Sequence, residues 1–181
     1  MKKKYEFTEN TFNDAGFIMH QIRALRDFDD VKAGDLGGFI LDESNLSHKG
    51  NCWVYPGSFV GNQARVTGNA KVKGNSVVRN SARVYENAVI DNGADIYTAA
   101  KIHGNAYVGG QLEVNRSEIC GDAHVEGHGI GCHISGQTVI RDNAHVYLEE
   151  MSIYGKIIKD NEKVVKIKSH KETMEAIDRL N

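Results

Sequence analysis

The 181-residue chain has a single proline, a single tryptophan and three cysteines. An odd cysteine count this low argues against a disulfide framework. No apolar run is long enough to span a membrane and no signal-peptide pattern is present, so a cytoplasmic setting with no membrane attachment is expected. Neither sign of charge dominates: 22 basic against 24 acidic residues leave a formal net charge of −2, which disfavours general nucleic-acid binding. The chain carries no P-loop, no nucleophile turn and no dinucleotide fingerprint. It does have 19 glycines, which suit tight corners, and 40% hydrophobic residues, enough for the core of one domain.

Its hydrophobic residues follow one rule. Eleven aliphatic residues recur every six positions, at Val54, Val60, Val66, Val72, Val78, Val84, Ile90, Ile96, Ile102, Val108 and Val114. Two positions before most of them stands a small residue, as at Ser58, Ala64, Ala70, Ser76 and Ala82. A six-residue period fits neither a 3.6-residue helix nor an ordinary hairpin sheet. In Val66-Thr67-Gly68-Asn69-Ala70-Lys71, Ala70 and Val72 point to one side of a strand and Lys71 to the other. Gly68-Asn69 then supplies a corner, because both residues tolerate left-handed backbone angles. Strand, corner, strand at a fixed period predicts a solenoid. After Val114 the register slips, with Ile119 only five residues on, which predicts a bulge at Asn115-Arg116-Ser117 and a Gly-rich departure at Gly127 to Gly131.

The repeat resembles that of the hexapeptide-repeat proteins: aliphatic, often Gly, two variable residues, a small residue, one more variable residue. The resemblance implies an all-β fold, a single-stranded left-handed parallel β-helix of triangular section with three hexads per coil. The left hand comes from the resemblance alone, since parallel crossovers are ordinarily right-handed. Residues 1–50 are read as an N-terminal β cap, 51–160 as the β-helix and 161–181 as a C-terminal strand and helix tail. The cap has strands around Phe17 to Leu25 after an Asn-Asp-Ala-Gly turn. In the tail, Met174, Ile177 and Leu180 are spaced for a short amphipathic helix. The segments Arg23 to Asp27, Val31 to Phe39, Asn45 to His48 and Gly50 to Val54 are similar to the head of a group of bacterial and phage-borne hexapeptide-repeat proteins labelled as acyltransferases.

With three hexads per coil, residues 18 apart stand on neighbouring rungs ~4.8 Å apart. Asn69, Asn87 and Asn105 then form an asparagine ladder with a structural role. One outer column holds Trp53, Lys71, Val89 and Tyr107, more apolar than a solvated face. Either the N-terminal segment covers its lower part, or Trp53, Val89 and Tyr107 belong to a subunit interface. The family likeness implies a homo-oligomer, most often a trimer. Another face stacks Arg65, Arg83 and Lys101 beside Thr67, Tyr85 and His103. Like charges on neighbouring strands repel. Solvent is the ordinary remedy, with Glu86 and Glu118 near enough to help. The sharper alternative is a small anionic ligand or an acidic protein partner, held by the cations with Tyr85 for stacking.

Two functional classes follow. The first is a non-catalytic binding or scaffolding protein on a rigid β-helix, needing no cofactor; one variant is a phage-borne protein that captures a host factor or a small phosphorylated signal. The second, implied by the resemblance, is a CoA-dependent acyltransferase with His103 as general base. His124 and His145 also point outward, but His103 lies beside the basic column. No long loop to fold over such a site and no acceptor-binding domain is visible in the sequence, so the first class is preferred. Cys120, His124, His128 and Cys132 recur every four residues, a metal-binding spacing on a helix. The intervening glycines exclude a helix; wrapped as a loop the segment could still hold a zinc ion, but no metal is assigned to it. Cys52 and Cys132 fall in the small inward slot and are read as core residues.

Overall fold

The computed structural model describes residues 2–167. The helix expected around Met174, Ile177 and Leu180 lies outside the described residues. The protein is an all-β parallel solenoid of about seven turns, a left-handed β-helix. Two-residue strands dominate, because each hexad gives one outward and one inward residue before the chain must turn.

Three faces result. The first ladders Val54, Val72, Ile90, Val108, Val125, Val146 and Val164. The second ladders Ile40, Val60, Val78, Ile96, Val114, Ile134 and Ile153. The third runs Val66, Val84, Ile102, Ile119, Ile140 and Ile158, with Leu46 bridged to Val66 beneath. These aliphatic side chains and the small residues Ala64, Ala70, Ala82, Ala88, Ala94, Ala100 and Ala106 fill one continuous core and, apart from the partly buried Val164, are almost wholly buried. The small slot is needed because two inward side chains share each short edge of a triangular coil.

Corners account for the Gly and Asn content. Asn62, Asn75, Asn80 and Asn92 adopt positive φ, as do Gly68, Gly104 and Gly121. At Gly68 a Cβ would come within 2.8 Å of the Glu86 backbone on the next rung, so the corner stacking itself selects glycine. The asparagine ladder is present. Asn69 donates to Asn87, Asn87 to Asn105, and Asn105 to Asp122, at 2.9, 2.9 and 2.7 Å.

The lower end is closed by strands β1 (Tyr5–Asp14), β2 (Phe17–Ala24) and β3 (Leu36–Ile40). β1 and β2 form an antiparallel hairpin whose turn is fixed by the Gly16 amide donating to Asn13 Oδ1 at 2.8 Å. β2 pairs antiparallel with β3, and β3 pairs parallel with the second face at Phe39–Phe59 and Ile40–Val60. Tyr5, Ile22 and Phe28 from this end join the core cluster. Lys4 is fully buried; its amine donates to the carbonyl of Cys52 at 2.6 Å and lies 5.2 Å from the Phe28 ring centroid. Burial pushes the Lys4 amine below its usual range and the Cys52 thiol above its own.

The rungs lose regularity where the sequence does. Val114 to Ile119 is one residue short, with Arg116 at positive φ and Ser117 buried in the small slot. Gly110 pairs with Gly127 but Leu112 with Cys132, so the later strand carries three extra residues, and Ile130 projects into solvent. Cys52 and Cys132 are both buried.

Candidate functional site

The first face disposes of Trp53. It is 1% exposed, edge-on to Phe28 at 5.4 Å and to Tyr5 at 6.3 Å between centroids. The N-terminal segment covers it, so it is unavailable to another subunit in this conformation. Lys71, one rung up, is tied to the same segment through Asp29 at 2.8 Å and Asp30 at 3.2 Å, and Tyr55 donates to Asp30 at 2.7 Å. Val89 and Tyr107 remain half-buried above, and His124 stacks on Tyr107 at 4.6 Å.

On the third face Arg65, Arg83 and Lys101 are in direct lateral register. Arg83 is satisfied by carbonyls, donating to Gln63 O at 2.7 Å and Ala82 O at 3.3 Å. Arg65 and Lys101 are exposed and make no ion pair among the described residues. A shallow groove of about 180 Å³ adjoins Lys101 and is lined by Arg116, Ser117, Glu118, Gln137 and Thr138.

Glu118 is in register with Lys101, yet its carboxylate turns to His103, with Oε1 2.8 Å from Nε2. Glu86 accepts the Gly104 amide at 2.7 Å and faces His103 Nδ1 at 3.6 Å. Neither carboxylate pairs with the cation column. Tyr85 stacks on His103 with centroids 4.6 Å apart and planes 6° apart. Burial raises the Tyr85 phenol, with Glu118 and Glu86 adding to the effect. Thus Tyr85, His103 and Lys101 stand within one patch, with Arg65 and Arg83 on the rungs below.

The four-residue spacing from Cys120 to Cys132 does not converge. Cys120 follows a third-face strand, whereas His124 and His128 belong to the long strand His124–Ser135 of the other sheet, where both approach Glu126. Cys132 is buried, its thiol donating to His128 O at 3.2 Å. Cys120 instead comes to His103 and Glu118. Sequence reasoning placed Glu118 above Lys101 but did not join Cys120 to His103. The signal was there: the five-residue step before Ile119 puts Cys120 one rung above His103.

In class, then, the fold is a left-handed β-helix of hexapeptide repeats bearing polar side chains on an otherwise ordinary outer face. No protein-family model matches the chain. Over 58 residues, 32% of this chain, it is 40% identical to a protein of Escherichia coli (strain K12) named as an uncharacterized acetyltransferase, YdcK. The matched segment is 18% of that relative's length. No helix among the described residues is long and apolar enough to cross a membrane.

Proposed function

We propose that this chain is a binding protein whose rigid third face receives an anionic group through Arg65, Arg83 and Lys101. One observation carries this reading: three cations stand in adjacent registers, and the neighbouring carboxylates, Glu86 and Glu118, are turned to His103. Stacked like charges on neighbouring strands are unfavourable without a counter-charge. The adjoining groove is smaller than the ~300–1,000 Å³ typical of small-molecule pockets. That favours a carboxylate or phosphate presented on an acidic partner surface over an enclosed metabolite.

The test is Arg65→Ala with Lys101→Ala, two side chains with no ion pair in the described structure. Charge-assisted hydrogen bonds are worth about 1.5–3 kcal/mol each, so retention of the partner should fall at least tenfold. The melting temperature should hold or rise. Native mass spectrometry of freshly purified protein and recovery from lysate, compared between wild type and the double variant, read both. Identical retained species in the two samples would remove this face from recognition.

A second reading is a CoA-dependent acyltransferase with His103 as general base. It is favoured by the 2.8 Å His103–Glu118 contact, which would orient the imidazole, and by the name carried by the partial relative. Calorimetric titration with CoA and acetyl-CoA tests it: an acyltransferase binds CoA, and His103→Ala abolishes transfer while leaving CoA binding intact. No heat at millimolar ligand with folded protein counts against the enzyme. Homo-oligomer formation, with Val89 and Tyr107 in the contact, belongs to either reading.

A further inference from the structure

We propose that His103, Glu118 and Cys120 form a zinc-class transition-metal site with one open coordination position. A ring nitrogen, a carboxylate oxygen and a thiol sulfur, one from each residue, lie within 4.8 Å of one another. In a tetrahedral site with bonds of about 2.0–2.3 Å, ligand atoms stand about 3.3–3.8 Å apart, so small side-chain rotations suffice to admit the ion. Those rotations replace the 2.8 Å His103–Glu118 hydrogen bond by two metal bonds.

The supporting shell is already arranged. His103 is held flat against Tyr85, and its Nδ1 faces Glu86 at 3.6 Å, leaving Nε2 on Glu118. A carboxylate opposite the non-ligating nitrogen is the usual way a metal-bound imidazole is oriented. The backbone is stiff as well: His103 follows a strand hydrogen-bonded on both sides, and Glu118–Cys120 sits on the next rung. Burial, with Glu118, Asp142 and Glu86 adding to it, holds the Cys120 thiol above its usual range, so an ion bound there displaces the thiol proton.

The donor set decides the metal class. Nitrogen, thiolate and one carboxylate suit Zn²⁺ and its spectroscopic surrogate Co²⁺, whereas Mg²⁺ and Ca²⁺ take all-oxygen shells. Three protein ligands leave a fourth position for water or an anion, as in sites that do chemistry rather than only support a fold. Lys101 is in register with Glu118 on the rung below. The inference does not rest on the anion-binding reading and is compatible with it, whereas a metal-bound His103 could not serve as the general base of an acyltransferase.

Chelator-treated, desalted full-length protein titrated with Co²⁺ tests it, with Zn²⁺ added afterwards as competitor. One equivalent of Co²⁺ should give a thiolate-to-cobalt charge-transfer band and the intense visible bands of four-coordination, both removed by Zn²⁺. Cys120→Ser should abolish the charge-transfer band, and His103→Gln should weaken binding at least tenfold. Circular dichroism confirms that both variants are folded. Zn²⁺ should raise the melting temperature of the wild type and not of Cys120→Ser. Absence of the band in folded wild type overturns the proposal. So does a band that survives in Cys120→Ser, which would place the thiolate at Cys132 or Cys52.

Discussion

Val84→Asp tests the alternation on which every surface assignment depends. Val84 is fully buried, laddered between Val66 and Ile102, with Ala82 beside it. Removing a buried valine forfeits about 1.5–3 kcal/mol of apolar burial. An aspartate there would keep its proton, and holding a carboxyl neutral costs about 1.36 kcal/mol per pH unit above ~3.9, roughly 4 kcal/mol at pH 7. The total, about 6 kcal/mol, rivals the ~5–15 kcal/mol stability of a whole domain. The loss is also pH-dependent with a definite sign. Between about pH 4 and 7 the unfolded variant releases a proton that the folded variant keeps, so stability falls by about 1.4 kcal/mol per pH unit. Arg83→Asp, one position earlier, places its carboxylate outward beside Arg65 and Lys101. It loses only the bonds to Gln63 and Ala82, a cost of about 1–2 kcal/mol before the new attractions are counted. Urea denaturation of both variants at pH 4.5 and 7 is the assay. Similar, pH-independent losses at the two positions would refute the six-residue register.

Lys4→Met, which keeps the buried stem, should be tolerated far better than Lys4→Ala, which should cost about 2–4 kcal/mol by thermal denaturation. Because burial depresses the folded Lys4 pKa, the unfolded chain binds the extra proton between that value and 10.5; wild-type stability relative to Lys4→Met should therefore rise across that window, and a flat difference would sink the argument. Tyr55→Phe removes the hydrogen bond that, with Lys71, holds Asp30 below its usual carboxylate range. Its deficit, within about 1 kcal/mol for so exposed a group, should be full above the ordinary aspartate value of 3.8 and shrink as pH falls through the folded one, read from urea midpoints at pH 6 and 3. Val89→Arg should convert a sedimenting trimer to single chains, and a wild type already running as one chain would end the interface assignment.

How much of this was legible follows from how each feature is encoded. The ladder of Arg65, Arg83 and Lys101 and the asparagine corner were readable because a rigid six-residue period converts sequence distance into spatial distance without further information. Trp53 was only half readable. Its outward position followed from the repeat, but its cover is assembled from Tyr5 and Phe28, residues far apart in sequence that no local pattern links to the coil. The offset expected from Glu86 and Glu118 concerned the right neighbourhood and the wrong partner: both point to His103 in place of the cations. Side-chain rotamers choose among partners on one rung, and periodicity is silent about them.

Cys120 marks the sharpest contrast between the two kinds of information. Read along the chain, it groups with His124, His128 and Cys132 at four-residue intervals, a pattern with meaning only on a helix. A β-helix instead groups residues about one coil apart. A strict 18-residue coil would set His103 against position 121, which is Gly121. The coil through Asn115-Arg116-Ser117 is one residue short, so Ile119 pairs with Ile102, and the residue after it, Cys120, comes opposite His103. A count that allows for the short coil thus lands on a thiol beside the imidazole where the strict count lands on a glycine, and it sets Glu118 in register with Lys101. Restoring that residue, by inserting one alanine between Asn115 and Arg116, would return the strict period and move Glu118, Ile119 and Cys120 on by one together, so they would still stand opposite Lys101, Ile102 and His103. The short coil therefore hides the grouping from a strict 18-residue count without creating it: stacking of Ile119 on Ile102 sets the register, and Glu118 and Cys120 on either side of Ile119 are the donors on which the metal titration turns.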